Sequence, residues 1–223
     1  KEIMYNDFRI NYQCYKSICQ LNNKYILKIR SDMMIDLKSS VEHFFKEIER
    51  KKNLNIENYE NIICATSFRL DLPYGVGDLF FIGKNHILKD FFYAQVKLKK
   101  FRFNLKFGSN ETEIVKRYLF TIRKKIKGFE VQDFFPMLKK NILTESTFFD
   151  KKNTTLWQYA IKNLFTILRD DISSNIKLRG KLLYKDIGRK DSAYDLWLES
   201  EKDYVKTFLS EAKKMNSFST TIT

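Results

Sequence analysis

The order of segments along the chain predicts an α/β fold built on a mostly parallel sheet. Short apolar runs at 24–30, 61–69 and 79–83 read as strands, and each lies beside a stretch with helical apolar spacing. With 43% hydrophobic and 15% aromatic residues, the chain can form a substantial core. Only 7 Gly and 2 Pro exclude low-complexity and collagen-like classes.

Residues 8–23 place Tyr12, Tyr15, Ile18 and Cys19 at helical spacing, with Cys14 and Leu21 less regular, and Asn22-Asn23 end the pattern. Cys14 and Cys19 are expected to be buried thiols in a reducing compartment. The run Lys24-Tyr-Ile-Leu-Lys-Ile-Arg-Ser-Asp32 follows as an interior strand. It delivers Lys28, Arg30 and Asp32 to its carboxyl end, and in open α/β sheets ligands bind at that edge. Two cations and a carboxylate there suit a phosphorylated ligand or its metal. Ser31 and Asp32 are also ordinary turn formers.

Asp36 is a helix cap for the apolar face Leu37, Val41, Phe44, Phe45 and Ile48, with His43 expected at the helix surface. After a polar connection over 50–60 comes the strand at 61–69. A loop with Pro73, Gly75 and Gly77 ends at Asp78 and runs into the strand 79–83. Asn85 caps a helix through Val96. Alternation over 101–107 predicts a half-exposed edge strand. The helix 111–127 has Ile114, Val115, Tyr118, Leu119, Ile122 and Ile126 on one face, with Gly128 closing it. Residues 1–127 thus form the expected α/β domain. From 128 to 223 a helical C-terminal extension is expected, with faces at 155–169 and 192–215 and a basic patch, Lys177 to Lys190, between them.

The formal charge of +14 favours an anionic partner: nucleic acid, a phospholipid surface or a phosphate-bearing substrate. The abundance of Lys, Asn, Ile and Phe equally matches an AT-rich genome, in which case the lysines simply coat solvated faces. With 3 Cys, no CxxC pair and 2 distant His, a structural zinc site is not expected. No run reaches the roughly 20 apolar residues of a membrane span, and the chain is read as cytoplasmic. It opens at Lys1 in mid-pattern, as a piece lacking an upstream portion would. No serine elbow, Walker glycine loop or GxGxxG occurs. Asp78, beside Gly75 and Gly77, is a candidate general base for a substrate hydroxyl or else a turn cap. Helix-dipole stabilisation accounts for Glu111 and Glu113.

The helix from Asn6 leading into Lys28-Ile-Arg-Ser-Asp32 resembles the WavE family of bacterial lipopolysaccharide-synthesis proteins, putative glycosyltransferases with a K-x-R-[ST]-D strand end. The resemblance continues through Thr66-Ser-Phe-Arg-Leu-Asp-Leu-Pro73 and the Asp78-Leu-Phe-Phe-Ile-Gly83 step to Glu113 and Tyr118-Leu-Phe120, over roughly the first 120 residues. It implies a GT-A-like sheet, here without its N-terminal nucleotide-binding unit, and transfer of sugar from a nucleotide-diphospho-sugar to a lipopolysaccharide or polysaccharide acceptor. Under it Lys28, Arg30 and Asp32 bind the donor diphosphate, and Asp32 is the candidate ligand for Mg or Mn. Asp78 is the catalytic base, while Glu113 and Arg69 contact the acceptor. The positive charge would hold the protein against anionic lipid of the inner membrane. Two departures stand out. Gly75 occupies a step where the family commonly has His, and Arg30 takes the place of the second carboxylate of a D-x-D. A basic nucleic-acid-binding module using Lys177 to Lys190, or a non-catalytic scaffold on the same fold, is the alternative reading.

Overall fold

The computed structural model of the chain describes residues 2–68, 74–97, 110–134, 151–182 and 193–219. Helix α1 (Glu2–Cys19) leads into strand β1 (Tyr25–Ile29). A turn over 30–32 then reaches β2 (Met33–Met34) and helix α2 (Leu37–Asn53). Asp36 caps α2 as expected, accepting from Ser39 N at 3.0 Å and from Ser39 Oγ at 2.7 Å. Strand β3 (Ile63–Ala65), β4 (Phe80–Lys84) and helix α3 (Asn85–Lys97) follow. Next come α4 (Asn110–Ile122), α5 (Lys151–Asn163), β5 (Phe165–Ile167) and the one-turn α6 (Asp170–Ser173). A small hairpin, β6 (Lys177–Leu178) and β7 (Lys181–Leu182), precedes α7 (Ala193–Ser219), which is broken at Asp203. The expected edge strand at 101–107 and most of the patch beyond Leu182 lie outside the described residues.

The class is α/β, but the sheet is mixed. Strand order is β1-β4-β3-β5, with β4 antiparallel to both neighbours and only β3 and β5 parallel. A mostly parallel sheet requires a crossover between successive strands; among the described residues no helix lies between β3 and β4, and β4 returns antiparallel to β3. The segment after residue 128 is not purely helical either. Phe165, expected on the helix face of 155–169, forms β5 with Thr166 and Ile167, and the three pair with Ile63, Cys64 and Ala65. Three consecutive buried residues, two of them β-branched and one aromatic, fit a buried strand as well as a buried helix; length and periodicity cannot separate the two.

Alternation sorts the core into two layers. Ile26, Ile63, Ala65, Phe81, Phe165 and Ile167 face a cluster built with α1, α3, α4, α5 and α7. On the other face, Cys64, Phe80 and Ile82 pack with Phe44 of α2 and with Ile172 and Ile176. Of the cysteines, Cys64 is buried, Cys14 half-buried and Cys19 exposed, so the expected burial of Cys19 does not hold. It is the last residue of α1, next to Ile18, which takes the buried position of that turn. Among the described residues no helix is long and apolar enough to cross a membrane.

Candidate functional site

Strands β1, β3 and β5 run in one direction and end at one edge of the sheet, where β4 begins. That edge gathers the turn after β1, Thr66 and Ser67 after β3, Arg169 to Asp171 after β5, and Asp78 just before β4. The antiparallel return of β4 therefore puts Asp78 beside Lys28 through the register Ile29↔Phe80 and Lys28↔Phe81.

Lys28 Nζ donates to the Asp78 carbonyl at 2.6 Å and lies 5.5 Å from the centroid of the Phe81 ring. Burial lowers its pKa, and the Asp78 carboxylate opposes that shift. Lys28 was expected to bind diphosphate. Its ammonium holds the loop that carries Asp78 through the carbonyl of that residue. The Asp78 carboxylate accepts no hydrogen bond from a described residue, yet it acts electrostatically on both Lys28 and Arg30.

Arg30 and Asp32 form a two-point pair, Nε to Oδ1 and Nη2 to Oδ2, both at 2.9 Å. From across the chain, Arg179 adds Nε to Oδ2 at 3.1 Å, and its backbone N–H donates to the Asp32 carbonyl at 2.9 Å. These guanidiniums, Arg30 foremost, hold the Asp32 carboxyl well below the usual carboxylate range. Arg179 reaches Asp32 because β6 pairs with β2 (Met33↔Leu178) and the β6–β7 turn is closed by Arg179 and Gly180, with φ of 51° and 78°. Two positive φ values in succession are the geometry of a type I′ hairpin turn. The run Lys177-Leu-Arg-Gly-Lys-Leu182 carried that signal, with Gly between two short apolar-basic pairs.

As a seat for Mg or Mn, the arrangement does not fit. Both Asp32 oxygens already accept from cations, so a divalent ion would have to displace guanidiniums and sit beside them. Among the described residues no three His, Cys, Asp or Glu side chains are grouped to hold a metal.

Glu113 lies elsewhere. It is buried on α4, its Oε2 has no hydrogen-bond partner, and burial raises its pKa against Lys116 and Arg117. Lys116, also buried, is pulled down to about 8 by desolvation, and its Nζ sits 5.8 Å from the centroid of the Tyr74 ring. Lys116 of the same helix thus reaches Tyr74 of the loop before Asp78, and among the described residues no hydrogen bond or ion pair joins Glu113 to Asp32. Arg69 is outside the described residues.

A second polar cluster escaped the sequence reading. Glu47 accepts from Arg50, from Thr166 Oγ1 at 2.7 Å and from the Tyr194 hydroxyl. Arg50 forks onto Glu201 at 2.8 and 2.9 Å, and buried Lys51 donates to Glu201 at 2.6 Å and to the Lys162 carbonyl at 2.6 Å. Burial alone would raise the Glu47 pKa, but Arg50 and Tyr194 outweigh it and hold it down. His43, expected on the surface, is 4% exposed and hydrogen-bonds the Ile167 carbonyl at 2.8 Å. Only the Glu47–Arg50 spacing on one helix face hinted at this network; Lys51 shares α2 with them, and the remaining members come from α5, β5 and α7.

At the opposite end of β1, a surface hollow of about 480 Å³ is lined by Cys19, Lys24, Lys84, His86 and Lys89 among others. Comparisons with family models, with curated proteins and with solved structures return no match to this chain.

Proposed function

We propose that the chain is the catalytic part of a glycosyltransferase on a GT-A-like sheet, using a nucleotide-diphospho-sugar donor and a lipopolysaccharide or cell-surface polysaccharide acceptor. One observation carries the reading: Lys28, Arg30, Asp32 and Asp78 meet at a single sheet edge, with the Asp78 carboxylate beside two cations and not hydrogen-bonded by any described residue. In this reading the acceptor hydroxyl attacks the anomeric carbon, its proton passes to Asp78, and the bond to the diphosphate oxygen breaks. Negative charge developing on the leaving diphosphate is met by Arg30. Glu113 and Arg69 belong to the acceptor side, and the excess of basic residues draws the protein to anionic lipid carrying the acceptor.

The test is a thermal-shift panel of nucleotide sugars against single-stranded RNA and DNA. A nucleotide sugar is expected to raise the melting temperature where nucleic acid does not. Arg30→Ala should remove that shift, and Asp78→Asn should keep it while abolishing sugar transfer. Stabilisation by RNA or DNA alone would replace this reading with the nucleic-acid-binding one.

A further inference from the structure

We propose that Arg30 and Arg179 form a paired-guanidinium site that binds the donor's diphosphate in place of a metal ion, with Asp32 as the carboxylate that holds the two forks. This rests on the glycosyltransferase reading for the nature of the diphosphate, but the anion site itself stands on geometry. Asp32 joins Arg179, 147 positions away in sequence, to its near neighbour Arg30, accepting from Arg30 with both oxygens and from Arg179 with one. Two guanidiniums against one carboxylate leave the trio with net charge +1. Arg30 engages Asp32 through Nε and Nη2, so Nη1 has no partner among the described residues. Arg179 engages through Nε alone, leaving both Nη groups similarly open, and its side chain is 77% exposed. Planar N–H forks of this kind match phosphate oxygens in pairs.

The backbone supports the same conclusion. Arg179 holds φ at 51°, where Asn, Asp or Gly is the ordinary occupant of a type I′ turn. A long, charged side chain is thereby fixed at the hairpin tip, pinned by its own N–H to the Asp32 carbonyl. Lys177 and Lys181 flank it on β6 and β7, so the hairpin adds positive charge to the corner that Arg30 already occupies. Metal ions in transferases offset charge on the leaving diphosphate; here fixed guanidiniums stand where that charge develops. Arg179 is accordingly a ligand-binding residue and Asp32 a positioning residue.

The experiment is calorimetric titration of the full chain with inorganic pyrophosphate, once in chelator and once with Mn²⁺. Binding is expected to persist in chelator. Arg179→Ala should weaken it roughly ten-fold or more, as loss of a charge-assisted hydrogen bond implies, and Arg179→Lys should restore only part. Asp32→Asn releases the two forks while removing a negative charge, so it should weaken binding in chelator only in part and leave it independent of Mn²⁺. Lys127→Ala, an equal loss of charge at a remote exposed site, should have no effect. Affinity that appears only with Mn²⁺ and vanishes in Asp32→Asn would overturn the proposal, as would absence of binding or an equal loss in Lys127→Ala. Should Asp32→Asn lower the melting temperature too far for titration, the two Arg179 variants decide, because that side chain is exposed. Pyrophosphate binding that no nucleotide sugar displaces would remove the glycosyltransferase reading and leave the anion site standing. Nucleotide sugars that stabilise the chain only with Mn²⁺ would do the reverse.

Discussion

The ammonium of Lys28 donates to the carbonyl of Asp78 across fifty positions of sequence, at 2.6 Å. That bond ties the end of one strand to the start of its antiparallel neighbour, and so fixes where the Asp78 carboxylate can point. Lys28→Met keeps the apolar stem and removes the donor. The Asp78 carbonyl then loses its partner, at a cost of about 1–3 kcal/mol in urea denaturation. On the proposed glycosyltransferase reading, kcat in a transfer assay should fall more than KM rises, because Lys28 would position Asp78 and not bind the donor. A pure KM effect would instead make Lys28 a donor ligand.

Gly77 is required by contact, not by φ. A Cβ there would lie 2.4 Å from Thr66 Oγ1 and 2.9 Å from Ser67 Oγ, while the Gly77 N–H donates to the Ser67 carbonyl at 2.8 Å. Gly77→Ala is expected to destabilise by about 1–3 kcal/mol through overpacking. Adding Thr66→Ala should return part of that loss, since Thr66 Oγ1 is buried and has no hydrogen-bond partner to forfeit. Denaturation of the single and double variants measures the recovery.

Glu201→Gln breaks the ion pair that neutralises Lys51, whose side chain is fully buried. An uncompensated buried ammonium costs about 3–5 kcal/mol, so a drop of that order is expected in the folding free energy. Lys51→Met in the same chain should recover a large share, and a double-mutant cycle reads the coupling directly.

His43 gives the chain a pH dependence of predictable sign. Burial lowers its pKa from the ordinary 6.5, so the unfolded chain takes up a proton that the folded chain resists. Its contribution to stability is complete above 6.5 and is lost as the pH falls toward the lower folded value. Melting temperature should therefore fall between neutral pH and about 5.5. His43→Asn can keep the hydrogen bond to Ile167, and the difference between variant and parent should flatten across that interval. An unchanged slope would place the titrating group elsewhere.

Periodicity and end signals in the sequence by themselves located α1, β1, α2, β4, α3 and α4, the Asp36 cap and the loop before Asp78. Those features are encoded among residues about one helical turn apart, within reach of side-chain spacing and capping chemistry. Strand order was the first thing beyond that reach. The same apolar runs serve parallel and antiparallel neighbours, and only the whole packed sheet decides that β4 returns between β1 and β3. From that followed the bond of Lys28 to Asp78, the strand where a helix face was expected at Phe165, and the burial of His43 against β5. Arg179 shows the limit most clearly. Its place in a basic run was visible, but its role depends on Met33 pairing with Leu178, which sets the hairpin tip over Asp32. Long-range hydrogen bonds of this kind form between groups whose neighbours in sequence carry no record of the partner; the folded chain alone brings them together.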